Sequence, residues 1–114
     1  MTLREQQSLF IKLLPRLIDY AYAMGYELTG GELQRSKAQA EANAASGAGI
    51  SNSLHLIRLA IDLNLFKDGQ FLAETEAHRL LGQFWKTLHP DCRWGGDFTK
   101  PDGNHYSLRW EGRA

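Results

Sequence analysis

Between Leu59 and Phe66 the chain alternates, with Leu59, Ile61, Leu63 and Leu65 on one face of an extended segment and Ala60, Asp62, Asn64 and Phe66 on the other. A period of two marks a strand with one face in a core. Asp68-Gly69 follows at once, a pair suited to a two-residue hairpin turn, so Gln70 to Leu72 reads as the returning strand. The alternation also puts a carboxylate, Asp62, inside an otherwise apolar run. A buried carboxylate is costly unless it is paired, hydrogen-bonded or bound to a metal, so Asp62 needs a partner or must face solvent.

The rest of the chain fits helices and short strands around that hairpin. Leu3, Phe10, Leu13, Leu14, Leu17, Ile18, Ala21 and Met24 recur at three- and four-residue spacings and predict an amphipathic helix, which Pro15 should kink or divide. Gly25 suits a C-cap, and Tyr26 to Thr29 is a short strand before Gly30 and Gly31. Gln34 to Ala45, rich in Ala, Gln, Lys and Glu, predicts a helix running into a flexible loop at Ser46-Gly47-Ala48-Gly49. Thr75, His78, Leu81, Phe84, Trp85 and Leu88 mark another helix, ended by Pro90. A turn at Lys100-Pro101-Asp102-Gly103-Asn104 then leads into a last alternating run, His105 to Trp110. Without a regular βαβ rhythm, the expectation is an α+β fold, a short antiparallel sheet flanked by helices. At 114 residues, 43% of them hydrophobic, the chain has material for one core and reads as a single domain, 1–114.

Charge and cysteine content narrow the function. Thirteen basic and thirteen acidic side chains give a formal net charge of zero, so no basic field favours nucleic acid. Cys92 is the single cysteine, which removes an internal disulfide and a Cys-based zinc site. Arg4, Glu5 and Lys12 interrupt the first apolar residues, unlike a signal peptide, and no run is long enough to span a membrane. The expectation is a protein made in the cytoplasm, without stable membrane association.

Two histidines come into question as partners of Asp62. His55 precedes it by seven positions, an odd offset that would place the two on opposite faces of one continuous strand, so a shared site requires His55 to lie in a bend before the strand. The Ser51-Asn52-Ser53 run favours such an irregular approach. His105 opens the last strand, directly after a turn. Two imidazoles and one carboxylate suffice to hold a tetrahedral Zn²⁺ with the fourth position open. Taken singly, each residue has a plainer reading: a solvent-facing Asp62, surface or hydrogen-bonded histidines, and an Asp102 explained by its Pro-Asp-Gly-Asn turn.

The segment Ser53-Leu54-His55-Leu56-Ile57-Arg58-Leu59-Ala60-Ile61-Asp62, followed by Trp94-Gly95-Gly96-Asp97-Phe98 and Asp102-Gly103-Asn104-His105-Tyr106, closely resembles the M15 metallopeptidases in its S-x-H-x(6)-D and D-x-x-H patterns. That family includes D-alanyl-D-alanine carboxypeptidases and phage endolysins that cut peptidoglycan stem peptides, and its fold is hedgehog/DD-peptidase-like. The resemblance covers roughly Thr29 to Tyr106. It implies His55, Asp62 and His105 as zinc ligands and Asp102 as general acid/base. Arg35 looks like the family's substrate-facing arginine, with Gln39 and Ser53 as further pocket residues; beside Gly95-Gly96, which would let the backbone approach the site, the Trp94 indole reads as a wall to it or as a core tryptophan next to a turn. Arg58 stands where the family often has glycine, and Asp102 where many members have Glu, which resembles the phage endopeptidase branch.

The resemblance implies a Zn²⁺ peptidase of peptidoglycan stem peptides, in first place an endolysin cutting between L-alanine and D-glutamate. A D-alanyl-D-alanine peptidase, or a non-catalytic zinc-binding relative, is the alternative. The first reading brings further expectations: a monomer, no separate wall-binding domain, and release through a separate holin-type pore to act on the cell wall. His78, His89 and Cys92 read as structural, and Asp97 as a turn cap or the partner of a ligand imidazole.

Overall fold

The computed structural model describes residues 1–31 and 54–114. The chain opens with α1, Leu3–Ala23, whose N-terminus is closed by a reciprocal capping box: Thr2 Oγ1 accepts from the Glu5 N–H at 3.1 Å, and Glu5 Oε1 accepts from the Thr2 N–H at 2.8 Å. Gln6, Phe10, Leu13, Leu17 and Ala21 form its buried stripe. Pro15 does not divide this helix. Its ring lies on the exposed side, as does Ile11, so the Ile11 carbonyl that loses its intrahelical partner faces water. Gly25, at φ 89°, ends the helix in the left-handed conformation, and β1 follows at Glu27–Gly30.

After a short 3₁₀ turn at Leu54–Ile57 come β2, Ala60–Lys67, and β3, Gln70–Leu72. Asp68 and Gly69 take φ 52° and 78°, the left-handed pair that a tight hairpin requires. The expected helix from Thr75 begins as a 3₁₀ turn, Thr75–His78, and becomes α-helical as α2, Arg79–Leu88. Two more strands, β4 at Cys92–Trp94 and β5 at His105–Leu108, with a 3₁₀ turn at Gly95–Asp97 between them, complete the described elements. The sequence offers no alternation for β4 because three residues are too few to show a period.

The sheet runs in the order β1-β2-β5-β4, every pairing antiparallel. Its long central strand β2 changes neighbours along one edge: β5 pairs with Ala60 to Asp62, and β3 with Leu65 to Lys67. Leu59, Ile61, Leu63 and Leu65 are buried as the alternation predicts, together with Phe10 and Leu17 of α1, Leu81 and Trp85 of α2, and Tyr106 and Leu108 of β5. Two polar side chains tie this core together. The Trp85 indole donates to the carbonyls of Arg93 and Ser107, and the Gln6 amide donates to Asp91 and to the Arg109 carbonyl, each at 3.1 Å. The architecture is α+β, as expected. Among the described residues no helix is long and apolar enough to cross a membrane.

Candidate metal centre

The register of β2 and β5 sets Asp62 directly opposite His105, so both side chains leave the sheet on the same face. His55 arrives from the preceding 3₁₀ turn. The Leu59 N–H bonds back to the Leu54 carbonyl at 3.1 Å, and Arg58 reverses the chain at φ 59°. This left-handed residue resolves the odd seven-residue offset, because His55 and Asp62 are not on one continuous strand.

One ligand atom from each of His55, Asp62 and His105 lies within 4.8 Å of the other two. Asp62 Oδ1 is 3.4 Å from His55 Nε2 and 3.6 Å from His105 Nδ1. Donor atoms about 2.0–2.1 Å from a tetrahedral zinc stand about 3.3–3.4 Å apart, so both separations are close to the edges of a zinc tetrahedron. The environment makes the same case. His55 and His105 are 3% and 6% exposed, and neither Asp62 Oδ1 nor His105 Nε2 has a hydrogen-bond partner among the described residues. Buried polar atoms left unsatisfied cost about 1–3 kcal/mol each, and for the Asp62 oxygen a cation at the centre of the three donors removes that cost.

Burial pushes the Asp62 carboxyl up, but the imidazoles of His105 and His55 pull it down further, to about 2, so the group is an anion. Its side chain is 21% exposed, which leaves the cluster open on one side. Rings enclose the rest: His55 meets His105 edge-on at 5.4 Å, and Phe98 lies 5.3 Å from the His105 ring.

Asp102 is held beside this cluster by its backbone. The His105 N–H donates to the Asp102 carbonyl at 3.1 Å, and the Asp102 N–H donates to the Gly95 carbonyl at 2.9 Å. Gly95 approaches so closely that a Cβ there would lie 2.1 Å from the Asp102 carbonyl oxygen and 2.8 Å from His105 Cβ. Asp102 is exposed and lines a cleft of about 260 Å³ that also includes Asn64, Phe71, Thr75 and Asn104.

Three further candidates, Arg35, Gln39 and Ser53, lie outside the described residues. Trp94 is 1% exposed; its indole N–H donates to the Gly103 carbonyl at 2.7 Å, and the ring packs beneath Arg79 and Lys86. A side chain so enclosed shows no face to substrate; it supports the Asp102–Gly103 turn from below. Asp97 pairs with Lys86 at 2.7 Å, an ion pair on the surface. His89 Nδ1 accepts from the Asp91 N–H, and burial pushes the Cys92 thiol up to about 12, which makes it inert. The reading from sequence passed over Asn64 and Asn104, although one lies two residues beyond Asp62 on the same strand face and the other directly precedes His105.

Residues 46–108, more than half of the chain, match the family model of M15 peptidases described as D-alanyl-D-alanine carboxypeptidase. The chain belongs to the M15 metallopeptidases. Members of this family are zinc peptidases of peptidoglycan, and His55, Asp62 and His105 offer this member a donor set suited to that metal. Two solved structures share the fold. The L-Ala D-Glu endopeptidase ChiX of Serratia marcescens superposes with a TM-score of 0.69 at 20% identity, over 88% of this chain and 77% of that one. A mutant of the vancomycin-resistance D,D-pentapeptidase VanY, from a VanB-type resistance cassette and in complex with Zn(II), gives 0.59 at 20% identity, over 87% and 70%. No curated protein sequence matches this chain.

Proposed function

We propose that this M15 peptidase is an L-alanyl-D-glutamate endopeptidase of the phage or prophage endolysin type, with His55, Asp62 and His105 as its zinc ligands and Asp102 as its general acid/base. The observation that carries the reading is the convergence of three donor atoms within 4.8 Å beside a turn that holds Asp102 three residues from a ligand. Support for the choice of bond comes from the fold likeness to ChiX, whose TM-score of 0.69 exceeds the 0.59 of the D,D-peptidase.

Zinc supplies Lewis acidity at such a site, bringing the pKa of water towards about 7 and polarising the scissile carbonyl. The chain's own residues do the rest. The Asp102 carboxylate takes a proton from the attacking water as its oxygen bonds to the carbonyl carbon, then hands that proton to the departing amine as the C–N bond breaks. The family resemblance assigns Arg35 the two-pronged grip on a substrate carboxylate and names Gln39 and Ser53 as further substrate-binding residues. The carboxylate of Asp62 keeps its charge down to a pH of about 2 and so stays available to a cation throughout the physiological range. The reading also carries release of a monomeric enzyme from the cytoplasm through a separate holin-type pore.

The test is a digest of purified Gram-negative sacculi by the zinc-loaded protein, with chelated protein and His105→Ala as controls and mass spectrometry of the new termini. The expected result is a metal-dependent D-glutamate amino terminus. Release of D-alanine would assign the chain to the D,D-peptidase side of the family, and intact sacculi with stoichiometric zinc would make it a zinc-binding relative without turnover.

A further inference from the structure

Where β2 exchanges one neighbour for the other, the sheet has a notch. β5 leaves the edge of β2 after Asp62, β3 takes it up at Leu65, and the cleft of about 260 Å³ fills the interval at Leu63 and Asn64. The notch adjoins the metal cluster: Asn64 shares a strand face with Asp62 and stands about 7 Å along it, at 3.3–3.4 Å per residue. Asn104 directly precedes His105, and Asp102 borders both notch and cluster.

Its lining is selective. Asn64 is oriented by donation from its Nδ2 to Thr29 Oγ1 at 3.2 Å, and Asn104 supplies a second carboxamide. Phe71, 58% exposed, forms the lip and leans on Phe66 at 5.4 Å, on the same face as Asp62 and Asn64. Among the described residues no lysine or arginine lines the notch, and burial holds its His78 neutral by lowering that imidazole to about 4. A neutral ring with one apolar C–H face and an edge of hydroxyl and acetamido groups finds both a phenyl surface and two amides.

We propose that this notch is a subsite for the N-acetylated amino sugar that bears the stem peptide. The inference rests on the endopeptidase reading, and chain length connects the two. On the acyl side of an L-alanyl-D-glutamate bond, one alanine and one lactyl unit separate the scissile carbonyl from the sugar ring. At about 3.3–3.6 Å each, these two units span about 7 Å, the distance from Asp62 to Asn64. For a D-alanyl-D-alanine bond, four residues and the lactyl unit would intervene, about 17 Å, and the sugar would lie well beyond the notch.

The experiment compares N-acetylmuramyl-L-alanyl-D-isoglutamine with N-acetyl-L-alanyl-D-isoglutamine on the zinc-loaded full chain, by turnover and by calorimetric binding. The expected result is a kcat/KM about tenfold higher for the sugar-bearing probe, with the ratio falling to near one in Phe71→Ala and Asn64→Ala. Leu80→Ala, which trims an exposed apolar side chain on α2, leaves the ratio as it is. Equal kcat/KM for the two probes in the wild type, or a ratio that survives both variants, overturns the subsite. If neither probe is cut, the endopeptidase reading fails and calorimetry still decides the notch: tighter binding of the sugar-bearing probe that is lost in Phe71→Ala supports it, and equal affinities overturn it.

Discussion

Strand β5 presents two histidine environments, one on each face. On one face His105 joins His55 around the Asp62 carboxylate; on the other, one residue along, Tyr106 holds His78. Both settings are buried, yet they differ in how their polar atoms are satisfied. His78 Nδ1 and Tyr106 Oη lie 2.8 Å apart, a complete hydrogen bond, whereas the Asp62 oxygen faces its two imidazoles at 3.4 and 3.6 Å and bonds to neither. Depth therefore does not tell a candidate ligand histidine from a structural one. What separates them is whether the donors are already spent on one another or still converge on a common point.

The largest expected effect falls on the first face. Structural zinc sites with four ligands bind with about 10–16 kcal/mol, or about 2.5–4 kcal/mol per ligand, so His105→Ala should weaken zinc by roughly a hundredfold to a thousandfold. Competition with a chelator measures this. His78→Gln, on the other face, should leave zinc affinity within about twofold. A large loss of affinity in both would erase the distinction between the faces.

The second face should dominate the response to acid. Burial lowers His78 from its ordinary value of 6.5 to about 4, so the folded protein takes up this proton later than the unfolded chain does. Stability is thus full above pH 6.5 and declines as pH falls towards 4, by on the order of 3 kcal/mol. Urea unfolding of chelated protein across that window should show the slope, and His78→Gln should lack it. Tyr106→Phe removes the hydroxyl and leaves the His78 nitrogen buried without its partner, a loss of about 1–3 kcal/mol at pH 7 with zinc stoichiometry unchanged. Thermal unfolding and metal analysis of the same sample would read both.

The sequence carried much of the first face and little of the second. Alternation located β2 and put Asp62 on the face opposite the leucines, and the D-x-x-H pattern pointed to His105, which the register sets opposite Asp62. These were legible because a strand has a strict period and a ligand set a strict order. The His78–Tyr106 bond joins residues 28 apart whose types suit a helix face and a strand core equally well, so no local pattern announces it. Nor does local pattern reveal the notch, which exists only because β2 pairs with two different strands along one edge. That Pro15 does not divide α1 has a related reason: whether a proline breaks a helix depends on what the freed carbonyl can reach, and Ile11 and Pro15 both lie on the exposed side. Trp94 looked like a wall because it adjoins two glycines, yet Gly96 and, from α2, Gly82 pack directly against its ring and enclose it.

The smallest effect concerns how His55 reaches the first face at all. Arg58, at φ 59°, is the hinge between the 3₁₀ turn that carries His55 and the strand that carries Asp62. A side chain other than glycine in this region costs about 1–2 kcal/mol, because Cβ crowds the following carbonyl. Replacing Arg58 directly with glycine would change two things together, the side chain and the backbone freedom, and Arg58 takes part in further interactions. Comparing Arg58→Gly with Arg58→Ala isolates the backbone: the side chain is lost in both, and only the alanine variant keeps the Cβ. Arg58→Gly should be the more stable by about 1 kcal/mol, less whatever its greater freedom in the unfolded chain takes back. Its zinc affinity should equal that of the alanine variant, since the hinge angle is the same in both. If instead the alanine variant is the more stable, the left-handed hinge is not what sets the seven-residue offset, and His55 must approach Asp62 by another path.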